Sequence, residues 1–218
     1  MLELLYSDRD IAAVIKPTGV SSSDTAEGMP ELIRRELGLA APAFTVHRLD
    51  NAVGGVMIYA LTQKAAAALS RDIAERRGFE KYYLAVVHGA PEEKSGRMDD
   101  LLFHDRQKNM TYVVKRERKG VRDASLEYEV IAERDGLSLV RVHLLTGRTH
   151  QIRAQFASRK MPLVGDGRYG ARDKCAIALW SYRLSLTNPS NGERLEFTRV
   201  PPENSPWDIF GEEIAALK

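Results

Sequence analysis

The sequence predicts an α+β fold, in which helices flank a mixed, largely antiparallel sheet. Two observations lead to this prediction. Strand-like segments follow one another directly at least as often as they follow a helix-like segment, an order that favours hairpins over strand–helix–strand units. Short turn sequences, Asp135-Gly136 and the NPSNG segment at 188–192, also stand between strand-like segments.

Strands are predicted wherever an apolar or alternating run is bounded by turn residues. The clearest case is 125–131, because Leu126 and Tyr128 alternate with Glu127 and Glu129. The predicted strands are 10–16, 43–49, 54–61, 79–88, 111–115, 125–131, 140–144, 180–186 and 194–199. Apart from the short strand at 111–115, the charged region between the fourth and sixth of these strands is predicted to be irregular.

Helices are predicted where a capping residue precedes apolar residues at helical spacing. Asp24, with Glu27 three residues later, forms a capping box for the first helix. Thr62 caps a second helix, which runs through Arg77 and stops at Gly78. Two further helices are predicted, over 149–159 and directly after Ser205-Pro206.

Composition excludes several classes of protein. The 218 residues are 44% hydrophobic and 28% charged, which is ordinary for a globular domain, and we expect one domain over 1–218. No apolar run approaches the roughly 20 residues of a membrane helix, and the start lacks the basic and apolar regions of a secretory signal. We therefore expect a cytoplasmic protein without a membrane partner. A net charge of +2 permits nucleic-acid binding without indicating it.

No motif for a metal or cofactor stands in a suitable context. The GDGRYG segment at 165–170 fits G-x-G-x-x-G, but a predicted helix precedes it, whereas a dinucleotide site needs a strand there. We interpret it as a glycine-rich turn. The histidines lack zinc-like spacing, and the single cysteine, Cys175, lies outside any nucleophile motif. The expected set of metals and cofactors is therefore none.

Two polar segments suggest chemistry. HRLD at 47–50 places a cation and a carboxylate at a predicted strand end, where Asp50 could equally serve a turn. TGRTHQIR at 146–153 crowds polar residues at a predicted helix start, where anion binding competes with simple capping.

Together these segments resemble the RluA-type RNA pseudouridine synthases. HRLD, then TGRTHQIR about a hundred residues later, then GDGRYG, occur in that family's order. KPTG at 16–19 and KYYLAVVHG at 81–89 are similar to the family's K-P-x-G and K-x-Y-x-A-x-V-x-G, and NPSNGE at 188–193 to its late turn. The resemblance covers roughly residues 5–200. It implies a pseudouridine-synthase-like catalytic domain, without a separate N-terminal RNA-binding domain.

The resemblance implies roles for individual residues. Asp50 falls on the family's catalytic aspartate, Tyr83 on its active-site tyrosine, and Arg153 on the arginine that pairs with that aspartate. Arg48 falls on the arginine that takes the place of the extruded base. The expected RNA- or base-contacting residues are Arg48, His47, Arg148 and Ile152.

Three departures from the family pattern bear on loop geometry and RNA contacts. Val53-Gly54-Gly55 stands where relatives have Thr-Ser-Gly, and Gln155 stands where a histidine is common. Near 179–181 the sequence is Leu-Trp-Ser, where relatives often have Leu-His-Ala. These features mark a divergent branch.

The implied reaction moves uracil from an N1 to a C5 bond with ribose C1′, without redox change, and so requires no cofactor. The implied partner is RNA, ribosomal or transfer, and a monomer is the expected state. Two other functions compete with this one. A non-catalytic RNA-binding descendant is expected to lose Asp50, Tyr83 or Arg153, all of which are present. A hydrolase that uses Asp50 on another glycosidic bond is opposed only by the whole-chain resemblance.

Overall fold

A computed structural model describes residues 2–23 and 25–217, whose contacts group into two compact units. Unit 1 is the chain up to Lys81 together with Ser181–Val200, and unit 2 is Tyr82–Trp180 together with the chain from Pro201 on. Both units combine antiparallel strand pairs with helices. The predicted α+β class is confirmed.

The elements are numbered in chain order. The helices are α1 (Met29–Leu37), α2 (Gln63–Glu75), α3 (Gln151–Ser158) and α4 (Gly211–Ala215). The strands are β1 (Leu4–Ser7), β2 (Ile11–Lys16), β3 (Phe44–Thr45), β4 (Gly54–Ala60), β5 (Glu80–His88), β6 (Ser95–Asp105), β7 (Met110–Val114), β8 (Val121–Arg134), β9 (Leu137–Leu144), β10 (Leu179–Thr187) and β11 (Arg194–Thr198). Short 3-10 helices cover Gly167–Tyr169 and Trp207–Phe210. No helix in the described part of the chain is long and apolar enough to cross a bilayer.

The strands of unit 1 lie in the order β1, β2, β4, β10, with β3 beside β4 and β11 beside β10. Every residue of β2 and β4 is buried, because both strands are nearly continuous apolar runs at the centre of this unit. Thr62 accepts a hydrogen bond from the Ala65 N–H at 3.2 Å, which confirms the predicted cap of α2.

Close packing fixes one glycine at the start of β4. Gly55 has a φ of 121°, and a Cβ there would overlap the backbone of Ser181 in β10. A side chain at this position would therefore push the two neighbouring strands apart.

The strands of unit 2 lie in the order β5, β9, β8, β6, β7, and each neighbouring pair is antiparallel. The turn between β8 and β9 is formed by Asp135 and Gly136, both with positive φ, as predicted for a two-residue hairpin. α3 begins at Gln151, two residues later than predicted, and buries Ile152 and Phe156 as expected.

Some sequence predictions are wrong. Residues 95–105 form the long strand β6, because pairing with β7 on one side and β8 on the other holds a segment that has little apolar alternation. The predicted strand 43–49 reduces to β3, and β1 was not foreseen. Helix α1 begins at Met29 with Gly28 at its N-cap, and the predicted capping residue Asp24 lies outside the described residues.

Candidate active site

The loop between β3 and β4 carries Arg48 and Asp50. Arg48 is exposed and Asp50 is half-buried, while Leu49 and Val53 are 7% and 2% exposed and fasten the loop by packing. The Val53 N–H also donates to the Asp50 carbonyl at 2.9 Å, which closes a tight turn. The buried Val53 therefore takes over the bracing that the hydroxyls of a Thr-Ser pair could supply.

Three donors from the preceding chain hold the same loop through its main-chain carbonyls. Ser22 Oγ donates to the Leu49 carbonyl at 2.9 Å. Lys16 Nζ donates to the Asn51 carbonyl at 3.2 Å, and the Gly19 N–H donates to the same oxygen at 2.7 Å. The carbonyls on both sides of Asp50 are thus fixed. The KPTG segment, identified from the sequence only by its similarity to the family's K-P-x-G, supplies two of these three bonds.

Lys16 is unusual because its charged side chain is fully buried. Burial lowers the pKa of Lys16 to about 8, and the nearby charge of Asp50 opposes that fall. Nζ also donates to the Pro17 carbonyl at 2.9 Å. Near neutral pH a buried ammonium group therefore lies close to the candidate catalytic carboxylate.

His47 is a packing residue in this structure. Its Nε2 accepts a hydrogen bond from the Ile58 N–H at 3.0 Å, so the neutral ring carries its proton on Nδ1. Burial, with a smaller effect of Lys81, lowers the pKa of His47 to about 3. The ring also lies edge-on to Phe79. A neutral ring buried this deeply is poorly placed to contact RNA, so the geometry gives no support to the predicted base contact of His47.

Unit 2 carries the other two candidate catalytic residues. Tyr83 lies in β5 opposite Val142 of β9 and is 5% exposed. Arg153 lies in the first turn of α3, next to Ile152, and both are buried. Ile152, at 4% exposed, belongs to the core of this unit, so its predicted base contact also stays a prediction.

Arg153 forms a buried, two-pronged ion pair with Asp166. Its Nε donates to Oδ2 at 2.7 Å and its Nη2 to Oδ1 at 2.8 Å. Both side chains are almost completely buried, so the carboxylate fixes the plane of the guanidinium as well as balancing its charge. The pairing of Arg153 with Asp50 that the sequence predicts remains a prediction.

Tyr169 supports the same guanidinium from its flat side. The Arg153 Cζ lies 5.0 Å from the centre of the Tyr169 ring. The Tyr169 hydroxyl accepts from the Thr111 N–H at 2.8 Å and lies 3.1 Å from His150 Nδ1. Burial is the main reason that the pKa of Tyr169 is raised, so the phenol stays neutral. Asp166 and Tyr169 both come from the GDGRYG segment, which therefore positions Arg153.

Each unit thus contains part of the predicted set of site residues. Unit 1 places His47, Arg48 and Asp50 on one loop, and unit 2 places Arg148, Ile152 and Arg153 around the start of α3, with Tyr83 on β5. Sequence reasoning missed the supporting residues, which are Lys16, Ser22, Gln151, Asp166 and Tyr169. The motifs KPTG and GDGRYG were the available signal. Within the described residues, no group of three or more His, Cys, Asp or Glu side chains is placed to hold a metal ion.

Comparison with known sequences gives a consistent result. A family model described as RNA pseudouridylate synthase matches residues 10–158. An uncharacterised RNA pseudouridine synthase of Mycobacterium bovis is 33% identical, over 92% of this chain and 70% of that protein. The dual-specificity RNA pseudouridine synthase RluA of Yersinia pestis is 33% identical, over 89% of this chain and 96% of that protein.

Comparison with solved structures supports the fold. A human protein titled RNA pseudouridylate synthase domain containing 4 superposes with a TM-score of 0.77 at 21% identity, covering 98% of this chain and 92% of that one. Human RNA pseudouridylate synthase domain containing 1 gives 0.75 at 22% identity, with coverage of 99% and 95%.

Proposed function

The chain belongs to the RNA pseudouridylate synthase family, and from this we propose that it isomerises particular uridines of ribosomal or transfer RNA to pseudouridine with Asp50 as the catalytic carboxylate. The observation that supports the role of Asp50 most strongly is its placement. It is half-buried on a loop whose neighbouring carbonyls are held by Ser22, Lys16 and Gly19. Such a loop is preorganised, so the carboxylate needs little rearrangement before it acts.

The reaction requires an ionised carboxylate at the sugar–base junction. The N1–C1′ bond breaks, the uracil turns, a C5–C1′ bond forms, C5 loses its proton and N1 gains one. Attack on the ribose, addition to the base and removal of a ribose proton all use Asp50 in its charged form. The charge of Asp50 acts on the buried ammonium of Lys16, so the two groups are close enough to interact.

Arg153 and Tyr83 complete the proposed catalytic set. Arg153 would pair with Asp50 and aim it, and the ion pair with Asp166 supports this role because it holds the guanidinium in one plane. Tyr83 would offer its ring face to the uracil and its oxygen to the proton transfer at C5. These residues are divided between both units, and we therefore propose that residues 1–218 act as one catalytic domain.

RNA must expose the target uridine before Asp50 can reach it. Flipping a base out of a stack costs a few kcal/mol, and a planar guanidinium can fill the space it leaves. The exposure of Arg48, two residues before Asp50, supports this role. Arg148, half-exposed before α3, would contact the RNA backbone.

The test combines cells and purified protein. Pseudouridine is mapped in ribosomal and transfer RNA from cells with and without the gene, and the sites that disappear are made as short RNAs for assay with the native protein and with Asp50→Asn. We expect loss of specific sites in cells, turnover by the native protein and none by the variant. Unchanged maps together with RNA binding but no turnover would instead support the non-catalytic RNA-binding protein. Base release from the RNA would support the hydrolase.

A further inference from the structure

Unit 2 contains a polar depression of about 190 Å³ beside the start of α3. Its polar lining consists of His104, Thr111, Arg122, Arg148 and Thr149. None of the residues that line it is an aspartate or a glutamate. The charged side chains in this lining, Arg122 and Arg148, are therefore both positive.

Strand register brings these side chains to one face of the sheet. Leu102 of β6 pairs with Arg122 of β8, and His104 of β6 pairs with Thr111 of β7. Paired residues point to the same face, and Leu102 on this face packs against Ala154 of α3. The loop that precedes α3 adds Gly147, Arg148 and Thr149 to the same lining.

That loop is held rigidly by one buried side chain. Gln151 Oε1 accepts from the Thr146 hydroxyl at 2.7 Å and from the Arg148 N–H at 3.0 Å, and Gln151 Nε2 donates to the Ser125 carbonyl at 3.1 Å. Since Gln151 is only 3% exposed, these bonds are shielded from water. The backbone at Arg148 is therefore held in place.

The donors of the lining are also oriented. Arg148 Nε donates to the Asp123 carbonyl at 2.8 Å, which directs the terminal nitrogens of its guanidinium. The Thr111 hydroxyl donates to the Thr149 carbonyl at 2.8 Å, so it must accept from His104 Nδ1–H at 3.0 Å.

The charge of the depression is not balanced by the protein. Other arginines of this unit have carboxylate partners, such as Arg141 with Glu129 and Arg159 with Asp100. Neither Arg122 nor Arg148 forms an ion pair within the described part of the chain. Two guanidinium groups without a carboxylate partner, beside the Thr149 hydroxyl, fit an oxyanion.

We propose that this depression binds one backbone phosphodiester of the RNA substrate, a proposal that rests on the proposed function in so far as RNA is the ligand. The loop from β7 to β8 supports a polymer over a free anion. It carries exposed Lys115, Arg116, Arg118 and Lys119 against a single acid, so positive charge continues along the chain just before Gly120, which lines the depression. Phosphate contacts of this kind position an RNA without reading its sequence.

The experiment measures binding of a fluorescein-labelled RNA hairpin by anisotropy over a series of KCl concentrations, and so needs no turnover. The variants are Arg122→Gln, Arg148→Gln and their combination. The matched control, Arg116→Gln with Lys119→Gln, removes the same charge from the neighbouring loop. Because both arginines would share one phosphate, we expect the single and double variants to lose similar affinity, roughly tenfold or more. The slope of log K against log salt should fall by about 0.7–0.9, the value of one contact.

The same variants also test whether the protein still folds and whether the phosphate belongs to RNA or to a free anion. Arg122→Gln breaks no hydrogen bond of the loop, so a loss of affinity in this variant at an unchanged Tm supports the site even if Arg148→Gln is less stable. Equal losses in the control and the double variant would show a diffuse charge effect and overturn the proposal. A second result would also overturn the proposal. If inorganic phosphate stabilises the native protein but not the double variant, while RNA affinity is the same in both, the site holds a free anion. Loss of affinity in a protein that makes no pseudouridine would leave the site standing and refute only the proposed function.

Discussion

Replacing Lys16 by Met should alter the pH dependence of folding stability. Lys16 is fully buried, and Met fills a similar volume without a charge. The turn should survive the change, because the Asn51 carbonyl keeps its bond from the Gly19 N–H and the Pro17 carbonyl keeps one from the Val20 N–H at 3.4 Å. The main difference between the two proteins is then the buried ammonium group.

The magnitude follows from the shifted pKa. Burial lowers the pKa of Lys16 from 10.5 to about 8, so the unfolded chain holds this proton more tightly than the native one. The native protein therefore gains stability as pH rises from about 8 towards 10.5, the window between the two pKa values. The shift is worth about 3 kcal/mol in full, and about 2.5 kcal/mol of it is recovered between about pH 7 and about pH 10.

The assay is urea unfolding of the native protein and Lys16→Met at a series of pH values. Groups common to both proteins cancel in the difference, and native stability should rise relative to the variant by about 2.5 kcal/mol across that range. Asp50→Asn is the informative control. It removes the charge that opposes the fall in the pKa of Lys16, so the rise should begin at lower pH. A difference between the native protein and Lys16→Met that does not change with pH would refute the reasoning.

Four further outcomes are expected. Asp50→Asn should abolish pseudouridine formation in a single-turnover assay, with the fold and RNA affinity nearly unchanged. Asp166→Asn should lose about 3 kcal/mol of stability in urea unfolding, because it removes the charge and the paired hydrogen bonds that Asp166 gives the buried guanidinium of Arg153, and turnover should fall more than RNA affinity. Gly55→Ala should lose more than about 2 kcal/mol, since its Cβ overlaps the Ser181 backbone; a native-like Tm would contradict this. Arg48→Ala should slow turnover of a structured stem–loop more than of an unstructured oligonucleotide, and equal losses would count against its place in the base flip.

Local signals explain which parts of the fold could be predicted. The cap of α2 at Thr62 and the hairpin at Asp135-Gly136 were predictable because a few adjacent residues determine them. β6 could not be predicted in the same way. Among its residues only Met98 and Leu102 are buried, so the strand exists because β7 and β8 pair with it from both sides. Pairing between distant segments overrides a weak local pattern there.

The residues of the candidate site also fall into those that the sequence could predict and those that depend on tertiary packing. Family motifs led to Asp50, Tyr83 and Arg153, the residues to which the proposed mechanism gives roles. The partner of Arg153 was missed, because Asp166 lies thirteen residues away in a segment interpreted only as a turn. Lys16 was missed for a related reason, since nothing in KPTG indicates that its lysine turns inward. Side-chain direction is decided by tertiary packing, which spacing in the sequence does not contain.

The way the Asp50 loop is held explains how its sequence can diverge. The donors from Lys16, Gly19 and Ser22 all bind main-chain carbonyls, which any residue of the loop would offer. These hydrogen bonds therefore do not depend on which side chains the loop carries. Val53 braces the loop by burying an apolar side chain, and burial of this size can offset the 0.5–1.5 kcal/mol or so of a lost hydroxyl hydrogen bond.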